Sequence, residues 1–260
     1  HCLLIGCIIQ ARVNSKRLPK KILKCLDEKN NALEYVISQL KSSRKIDKIV
    51  IATTSSNEDD IIVDFAKENN YHYFRGSEKD VLDRYFQCAK SFNFNTIVRI
   101  TSDCPLIDPH IVDKVIEKFE STNYDYVTNT FPPTFPKGLD VEIFKFSILE
   151  HIWKNAILPS EREHVTQYLF NNKEFKIGNL KNEHNLSKLR WTLDQEEDFE
   201  FLCQIIRRVK KRPILMNDVL TVLSCEPQLS KINSHIDPDE GLKKSKKEDE
   251  EFKKEQRFKK

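Results

Sequence analysis

The sequence predicts an α/β protein with a doubly wound, mostly parallel β-sheet and one inserted segment. In residues 5–119, short runs rich in β-branched residues alternate with stretches whose apolar residues recur at helical spacing. Strands that alternate with helices pair in parallel through right-handed crossovers. The alternation stops near Tyr124. We therefore expect one domain over residues 1–240, in which residues 130–190 are an insertion that forms a lid, a substrate wall or a dimer contact.

The first half of the chain contains four predicted strands and four predicted helices. The β-branched run that begins at Ile5 is typical of a buried strand. Ser56 with Asp59 resembles a capping box, and Asp108 before Pro109 is a helix N-cap followed by proline at the first helical position. The strands are expected at 5–9, 46–52, 71–74 and 96–100, and the helices at 32–44, 56–66, 79–92 and 108–119.

The second half has a different pattern. Three prolines exclude regular structure over residues 131–136, whereas residues 139–146 alternate like a half-buried strand. Ser160 with Glu163 resembles another capping box, which predicts a helix that continues to Leu169. The remaining strands are expected at 124–128, 175–180 and 189–193, and the remaining helices at 195–210 and 216–225.

Charge is concentrated at the C-terminus. Residues 241–260 contain nine Lys or Arg against five Asp or Glu, a surplus of +4, so residues 1–240 carry −1 of the overall +3. Because the body of the protein is nearly neutral, we expect no broad basic face for nucleic acid. The segment 241–260 has no apolar periodicity, and we expect a charged, solvated tail that is disordered or marginally helical.

Cysteine usage and hydropathy indicate the compartment. The seven cysteines include no C-x-x-C pair, which argues against a disulfide framework or a zinc knuckle and for a reducing environment. No apolar run approaches membrane-spanning length, and no signal-like segment precedes the first strand. We expect a cytoplasmic protein that does not bind membranes.

Several enzyme classes are disfavoured by missing motifs. The five glycines form neither a G-x-G-x-x-G dinucleotide fingerprint nor a G-x-x-x-x-G-K-[ST] phosphate loop. The sequence also lacks G-x-S-x-G and H-E-x-x-H. Dehydrogenases, P-loop ATPases, serine hydrolases of the α/β class and zincins are therefore not expected.

A cationic loop follows the first strand directly. Its five cations are Arg12, Lys16, Arg17, Lys20 and Lys21. A loop at the carboxyl end of a strand is where an α/β sheet holds the phosphates of a ligand, with Arg as a fixed fork and Lys as a mobile charge. The alternative interpretation is a solvated turn, since exposed cationic loops are common.

This loop resembles that of a known family. The pattern Ala11-Arg12-x-x-Ser15-x-Arg17-Leu18-Pro19-x-Lys21 is similar to the signature of the cytidylyltransferases that make CMP-activated sugar acids, closest to the branch of spore coat polysaccharide biosynthesis protein F. The resemblance implies a Rossmann-like nucleotidyltransferase fold in which this loop wraps the CTP triphosphate. The family has Met-Gly and Pro-Gly-Lys where this chain has Val13-Asn14 and Pro19-Lys20-Lys21. The expected nucleotide-binding residues are Ala11, Arg12, Ser15, Arg17, Lys21 and Thr101.

Two aspartates are candidate magnesium ligands. Asp103 lies just past a predicted buried strand, on the same sheet edge as the loop, where a carboxylate can hold a magnesium ion that bridges nucleotide phosphates. Its alternative role is to cap a turn before Pro105. The resemblance favours the metal, because the family carries a metal-binding Asp before x-Pro-Leu-Ile. By the same resemblance, Asp194 supplies the second carboxylate.

Further candidates lie on two other segments. The stretch Arg75–Tyr85 resembles the family's third helix entrance, from which Asp83 and Arg84 could reach nucleotide or substrate. The stretch Gly138–Glu142 resembles a substrate-side strand of the family. Asp140 and Glu142 share one face of it by the period-two rule, and the resemblance makes them candidates for contacting sugar hydroxyls.

Together these features imply a magnesium-dependent cytidylyltransferase that transfers CMP from CTP to a sugar acid or related sugar and releases pyrophosphate. Arg12, Lys21 and Asp103 are the expected catalytic residues, Asp103 and Asp194 hold the metal, and the resemblance implies a homodimer. Two alternatives remain open. One is another nucleotide-sugar enzyme: a sugar-1-phosphate nucleotidylyltransferase that uses a different nucleotide, or a glycosyltransferase. The other is a catalytically silent partner protein.

Overall fold

The computed structural model describes residues 3–259. Seven strands form a single sheet: β1 (Ile5–Gln10), β2 (Lys48–Thr54), β3 (His72–Gly76), β4 (Thr96–Thr101), β5 (Tyr126–Thr128), β6 (Glu142–Lys145) and β7 (Ile177–Asn179). Their spatial order is β3-β2-β1-β4-β6-β5-β7. Only β6 runs antiparallel to its neighbours β4 and β5, so the sheet is mostly parallel as predicted.

Ten α-helices accompany these strands within the described residues. They are α1 (Ala32–Leu40), α2 (Asp60–Glu68), α3 (Val81–Ser91), α4 (Pro109–Ser121), α5 (Phe146–Asn155), α6 (Pro159–Glu163), α7 (Gln167–Asn171), α8 (Glu196–Arg208), α9 (Met216–Cys225) and α10 (Glu240–Phe258). Short 3-10 turns occur at Lys21–Leu23, Asn57–Asp59 and Pro227–Ile232.

Helices cover both faces of the sheet, as a doubly wound fold requires. Cys7 and Ile9 of β1 pack with α1, α2 and α4 on one face, whereas Ile8 between them packs with α3 and α5 on the other. This alternation follows from the two-residue period of a strand. A third cluster, built around Trp191, joins α8 and α9 to the domain. The predicted fold class is therefore confirmed.

Two local predictions were wrong in the insertion and after it. Residues 189–193 form no strand, although Trp191 N–H donates to Lys137 O at 2.7 Å and Leu193 N–H donates to Asp103 O at 2.8 Å. Such isolated pairs are too few for a ladder. The capping box of Ser160 and Glu163 is also absent: Pro159 starts α6 one residue earlier, and Glu161 accepts from the Leu158 backbone N–H at 3.0 Å.

The C-terminal segment, expected to be disordered or marginally helical, forms helix α10 over residues 240–258. Lys and Glu have high helix propensity, and Lys244 pairs with Glu248 one turn later at 3.8 Å. The helix is docked on α6: Asp249 accepts from Ser160 N–H at 3.0 Å. The charged tail is thus part of the folded body. No helix in residues 3–259 is long and apolar enough to cross a membrane.

Candidate active site

A cavity of about 1030 Å³ lies at the carboxyl ends of β1 and β4. Its walls come from four parts of the chain: the cationic loop with residues 10–22, residues 78–84 at the start of α3, residues 101–103 after β4, and α6 with the adjoining residues 163–164. Asp194 and the first turns of α10 complete the rim. In open α/β sheets this edge is where ligands bind.

The cationic loop is anchored by two buried apolar side chains. Val13 and Leu18 are 6% and 5% exposed, and the Val13 backbone N–H donates to the buried Asp59 carboxylate at 2.8 Å. Lys20 N–H donates to Val13 O at 3.2 Å and closes the loop. With the apolar residues turned inward, four of the five cations line the cavity: Arg12, Lys16, Arg17 and Lys21.

Lys20 stands where the family has a glycine, and it adopts the left-handed backbone conformation. Its φ is 55°, a region that non-glycine residues occupy at a cost. The loop therefore keeps a path that glycine would favour. Lys21 follows immediately, and its ammonium group reaches the cavity.

Asp194 is surrounded by cations. Its carboxylate lies 3.1 Å from Arg17 Nη1, 3.6 Å from Lys21 Nζ and 3.7 Å from Arg190. Arg17 is shared, because its Nη1 also lies 2.7 Å from the carboxylate of Glu240 on α10. Two of the cations expected to bind a triphosphate, Arg17 and Lys21, are thus paired with acids in this structure.

A buried ion pair fixes the backbone around Asp194. Arg190 donates to Asp198 through Nε at 2.8 Å and Nη2 at 2.9 Å. Asp198 also accepts the backbone N–H groups of Asp194 and Gln195 at 3.1 and 3.0 Å. Burial alone would raise the pKa of Asp198, but the Arg190 hydrogen bonds outweigh it and lower the pKa. The start of α8 is therefore held rigidly with Asp194 at the cavity.

Asp103 lies on the facing segment. Thr101 Oγ1 donates to its carboxylate at 2.5 Å, and Asp103 O accepts from Leu193 N–H. That backbone bond joins the segment after β4 to the segment that ends at Asp194. Burial, together with the Asp103 charge, raises the pKa of the neighbouring Cys104 thiol. Cys104 therefore stays protonated and is not a nucleophile.

These two carboxylates suit a magnesium ion. Both line the same cavity, on segments joined by the Asp103 O to Leu193 N–H bond. Magnesium commonly takes one or two protein carboxylates and completes its octahedron with waters and phosphate oxygens. Within residues 3–259 no cluster of three or more His, Cys, Asp or Glu could form a self-sufficient metal cage. The residues present thus fit a metal that arrives with a nucleotide.

Arg84 lies in the floor of the cavity and is 1% exposed. It donates from Nε to Ser77 O at 2.9 Å and from Nη2 to Glu78 O at 3.2 Å. Burial lowers the pKa of Arg84, and the nearby Arg12 acts in the same direction. The side chain both fixes the turn before α3 and contributes positive potential to the site.

Three predicted sugar contacts do not line the cavity. Asp83 turns away, since its carboxylate accepts from Trp153 Nε1 at 2.8 Å and from Gln87 at 3.2 Å. Glu142 forms a buried ion pair with Arg99, 2.6 Å from its Nη1. Asp140 is solvent-exposed and also lies outside the lining.

Other residues at the cavity were missed by sequence reasoning. Gln10 ends β1, and Glu163 and His164 follow the first turn of α6. Burial lowers the pKa of His164, whose Nε2 lies 2.5 Å from Ser245 Oγ on α10. Gln10 carried a usable signal, because it is the first polar residue after a buried run. No local pattern indicated the contribution of α10, which brings Glu240 and Lys244 to the rim.

Relatives in sequence share nearly the whole chain. The family model described as Cytidylyltransferase matches residues 6–218. Protein MJ1063 of Methanocaldococcus jannaschii is 38% identical over 236 residues, which are 90% of this chain and 95% of that protein. The spore coat polysaccharide biosynthesis protein SpsF of Bacillus subtilis is 29% identical over 231 residues, which are 85% of this chain and 94% of SpsF.

Solved structures agree with these relatives. A cytidylyltransferase from Leptospira borgpetersenii matches with a TM-score of 0.85 and 37% identity, over 91% of this chain and 100% of that one. A CMP:2-keto-3-deoxy-manno-octonic acid synthetase complexed with CTP matches with a TM-score of 0.60 and 13% identity, over 79% of this chain and 99% of that one, which is a likeness of fold alone. The resemblance seen in the loop is thereby confirmed. This chain belongs to the cytidylyltransferase family, a family of nucleotidyltransferases.

Proposed function

We propose that this protein transfers CMP from CTP to a sugar acid or a related sugar, releases pyrophosphate and requires magnesium. One observation carries the proposal: a single cavity in a cytidylyltransferase chain is lined by the cationic loop and by both candidate metal ligands, Asp103 and Asp194. Its relative SpsF is named for spore coat polysaccharide biosynthesis, which supports a role in making a surface polysaccharide or another glycan.

In the proposed reaction an acceptor oxygen attacks the α-phosphorus of CTP. A new P–O bond forms, the bond to the β-phosphate side breaks, and pyrophosphate leaves while the acceptor proton is released. Arg12, Arg17 and Lys21 neutralise the triphosphate and the departing pyrophosphate, whereas Ala11, Ser15 and Thr101 line the cavity around it. Phosphoryl transfer depends on positioning and charge stabilisation, so no protein nucleophile is needed.

Asp103 and Asp194 are the proposed magnesium ligands. When bound, the metal would withdraw charge from the α-phosphate and the acceptor oxygen. Arg17 and Lys21, which contact Asp194 in this structure, would then serve the phosphates instead. In the proposed complex, Arg17 and Lys21 thus exchange their ion pairs with Asp194 for ion pairs with the phosphates of the substrate.

The insertion supplies the wall opposite the cationic loop. Pro159, Arg162, Glu163 and His164 reach the cavity from this segment, which supports its role as a substrate wall. Asp140 precedes β6 and lies within electrostatic range of Asp103, and we keep it as a candidate sugar contact.

We also propose a homodimer formed through the insertion. Strand β7 is the outer strand of the sheet, and Phe131, 58% exposed, packs on Phe170 beside it with ring centroids 4.6 Å apart. Sedimentation equilibrium of wild type and Phe131→Glu tests this, since the charge should weaken association. A wild-type monomer at micromolar concentration would contradict it. Because CTP is a nucleotide of the cell interior, we assign the reaction to the cytoplasm.

The decisive experiment is calorimetric binding of CTP, UTP, GTP and ATP, each with and without magnesium. Wild type, Asp103→Asn and the control Asp64→Asn, an exposed aspartate of α2, are compared. We expect a magnesium-dependent preference for CTP that Asp103→Asn weakens and Asp64→Asn does not. Sugar acids are then screened for pyrophosphate release, which Asp103→Asn should slow at least ~100-fold.

Each alternative has its own outcome in this experiment. Preference for UTP, GTP or ATP would replace the proposal with a different nucleotidyltransferase. Retention of normal magnesium-dependent activity by Asp103→Asn would remove the metal assignment.

A further inference from the structure

The amide of Gln10 has a fixed orientation. Arg99 Nη2 donates to Gln10 Oε1 at 2.9 Å. Arginine has only donors, so the oxygen of the amide must be the atom that faces it. The Nε2 group therefore points the other way, and no protein acceptor for it is present in residues 3–259.

Arg99 is itself held by a buried network. Its Nη1 donates to Glu142 at 2.6 Å, and Glu142 also accepts from Tyr126 O–H and from Thr166. The Arg99 and Glu142 side chains are 11% and 14% exposed. A charged pair this buried costs desolvation free energy, and leaving one partner unpaired costs more. The network therefore keeps Arg99, and through it the Gln10 amide, in one position.

Gln10 lies between the two halves of the proposed site. In the sheet it pairs with Ala52 on one side and with Thr101 on the other. Thr101 leads to Asp103, and the residues after Gln10 enter the cationic loop. The free N–H group is thus between the phosphate-binding cations and the proposed metal carboxylate.

We propose that the Gln10 side-chain amide donates a hydrogen bond to a non-bridging oxygen of the α-phosphate. The inference rests on the proposed function, which has the α-phosphate react between the loop and Asp103. Arg99 and Glu142 are positioning residues that set the direction of this donor. Glu142 thereby acts on the substrate through two other side chains instead of touching it.

The test measures the binding of three ligands by calorimetry in the presence of magnesium. CTP and CMP carry an α-phosphate, whereas inorganic pyrophosphate does not. In Gln10→Glu a carboxylate still accepts from Arg99, so the fold is kept, but the N–H donor is lost. We expect CTP and CMP to bind about 10-fold more weakly or worse, the loss expected for one hydrogen bond to a charged group. Because Gln10→Glu also adds a negative charge that repels every phosphate ligand, the neutral variant Gln10→Ala decides the selectivity. In Gln10→Ala, CTP and CMP should bind as weakly, whereas pyrophosphate, which lacks an α-phosphate, should bind within about twofold of wild type.

A double-mutant cycle tests the positioning role. Arg99→Lys alone should weaken CMP binding, because lysine cannot hold Glu142 and Gln10 with one fork. When Arg99→Lys is added to Gln10→Ala, CMP affinity should fall no further, because the donor that Arg99 positions is already absent. If Arg99 only stabilised the fold, the two losses of affinity would add.

Unchanged CTP and CMP binding in both Gln10 variants, or an equal loss for pyrophosphate in Gln10→Ala, overturns the inference. Failure of the proposed function gives a different result, a wild type that prefers another nucleotide. In that case the triphosphate and the monophosphate of the preferred nucleoside replace CTP and CMP, and the same comparison decides the role of Gln10.

Discussion

Arg17 and Glu240 form an ion pair across 223 residues of sequence, with Nη1 2.7 Å from the carboxylate. The same Nη1 lies 3.1 Å from Asp194. Glu240 of the last helix and Asp194 of the proposed metal site therefore both pair with Arg17, a cation proposed to bind the triphosphate. Nucleotide binding must release at least one of these contacts.

Glu240→Gln should tighten nucleotide binding, because a neutral amide competes less well for Arg17. The pair is exposed, and such pairs are worth about 0.2–1 kcal/mol, so CTP affinity should rise roughly twofold to fivefold at low salt. Calorimetry with magnesium measures this. Glu255→Gln on the exposed surface of the same helix should change nothing. Weaker CTP binding in Glu240→Gln would mean that Glu240 supports the ligand-bound loop.

Asp194→Asn should separate two functions of one carboxylate. Without magnesium, pyrophosphate should bind more tightly, because Arg17 and Lys21 are no longer neutralised by Asp194. With magnesium, turnover of CTP should fall at least ~100-fold, as for loss of a preorganised charge-stabilising group. Glu196→Gln, two residues later and paired with Lys24, is the matched control. Near-normal turnover in Asp194→Asn would rule out its metal role.

Lys20→Gly should stabilise the protein. At φ 55° a left-handed residue other than glycine costs about 1–2 kcal/mol, against about 0.5–1 kcal/mol for the extra chain entropy of glycine. The net gain of roughly 0.5–1 kcal/mol is measurable by urea unfolding. Thr122→Gly, at φ −143°, should instead destabilise. A loss of stability in Lys20→Gly would show that the lysine side chain stabilises the loop.

Asp27→Asn should destabilise the protein at neutral pH but much less in acid. Burial alone would raise the pKa of Asp27, but hydrogen bonds from Tyr35 and from backbone N–H groups at 2.7 and 2.8 Å lower it to about 2. A lowered pKa means that the ionised carboxylate stabilises the folded state above pH ~4, and that this contribution is lost between pH ~4 and ~2.

The expected loss at pH 7 is roughly 1–2 kcal/mol, discounted for partial exposure. Urea unfolding from pH 7 down to pH 3 should show the difference between wild type and Asp27→Asn shrinking. A difference independent of pH would mean that packing, not ionisation, is responsible.

The sequence was sufficient for the parts of the site that follow strand ends. The loop after β1 and Asp103 after β4 reach one cavity, because the carboxyl ends of parallel strands share one edge. Asp194 reaches the same cavity from residues that form no strand, beside the bond from Leu193 N–H to Asp103 O. Of the two neighbouring candidates on α3, Arg84 lines the cavity and Asp83 does not. Adjacent helical residues differ by about 100° in direction, so only one of the two can face the cavity.

Glu142 shows a different limit. The period-two rule gives its face of the sheet but not its partner, and only the register reveals Arg99 directly opposite on β4. The docking of the C-terminal helix was not predicted, because its contacts are polar and leave no apolar stripe in the sequence. Ser245 and Asp249 bind α6 and the residue after it from positions that read as solvated.

The polar docking of α10 makes ionic strength and the placement of an affinity tag variables of any assay. Its contacts to Arg17 and Ser160 are charge-dependent, and salt weakens exposed pairs. At high salt α10 would bind less tightly and cover less of the cavity than in dilute buffer, so kinetic constants measured under the two conditions would differ. A tag at the C-terminus would extend the helix that borders the cavity, so an N-terminal tag is the safer choice for kinetic work.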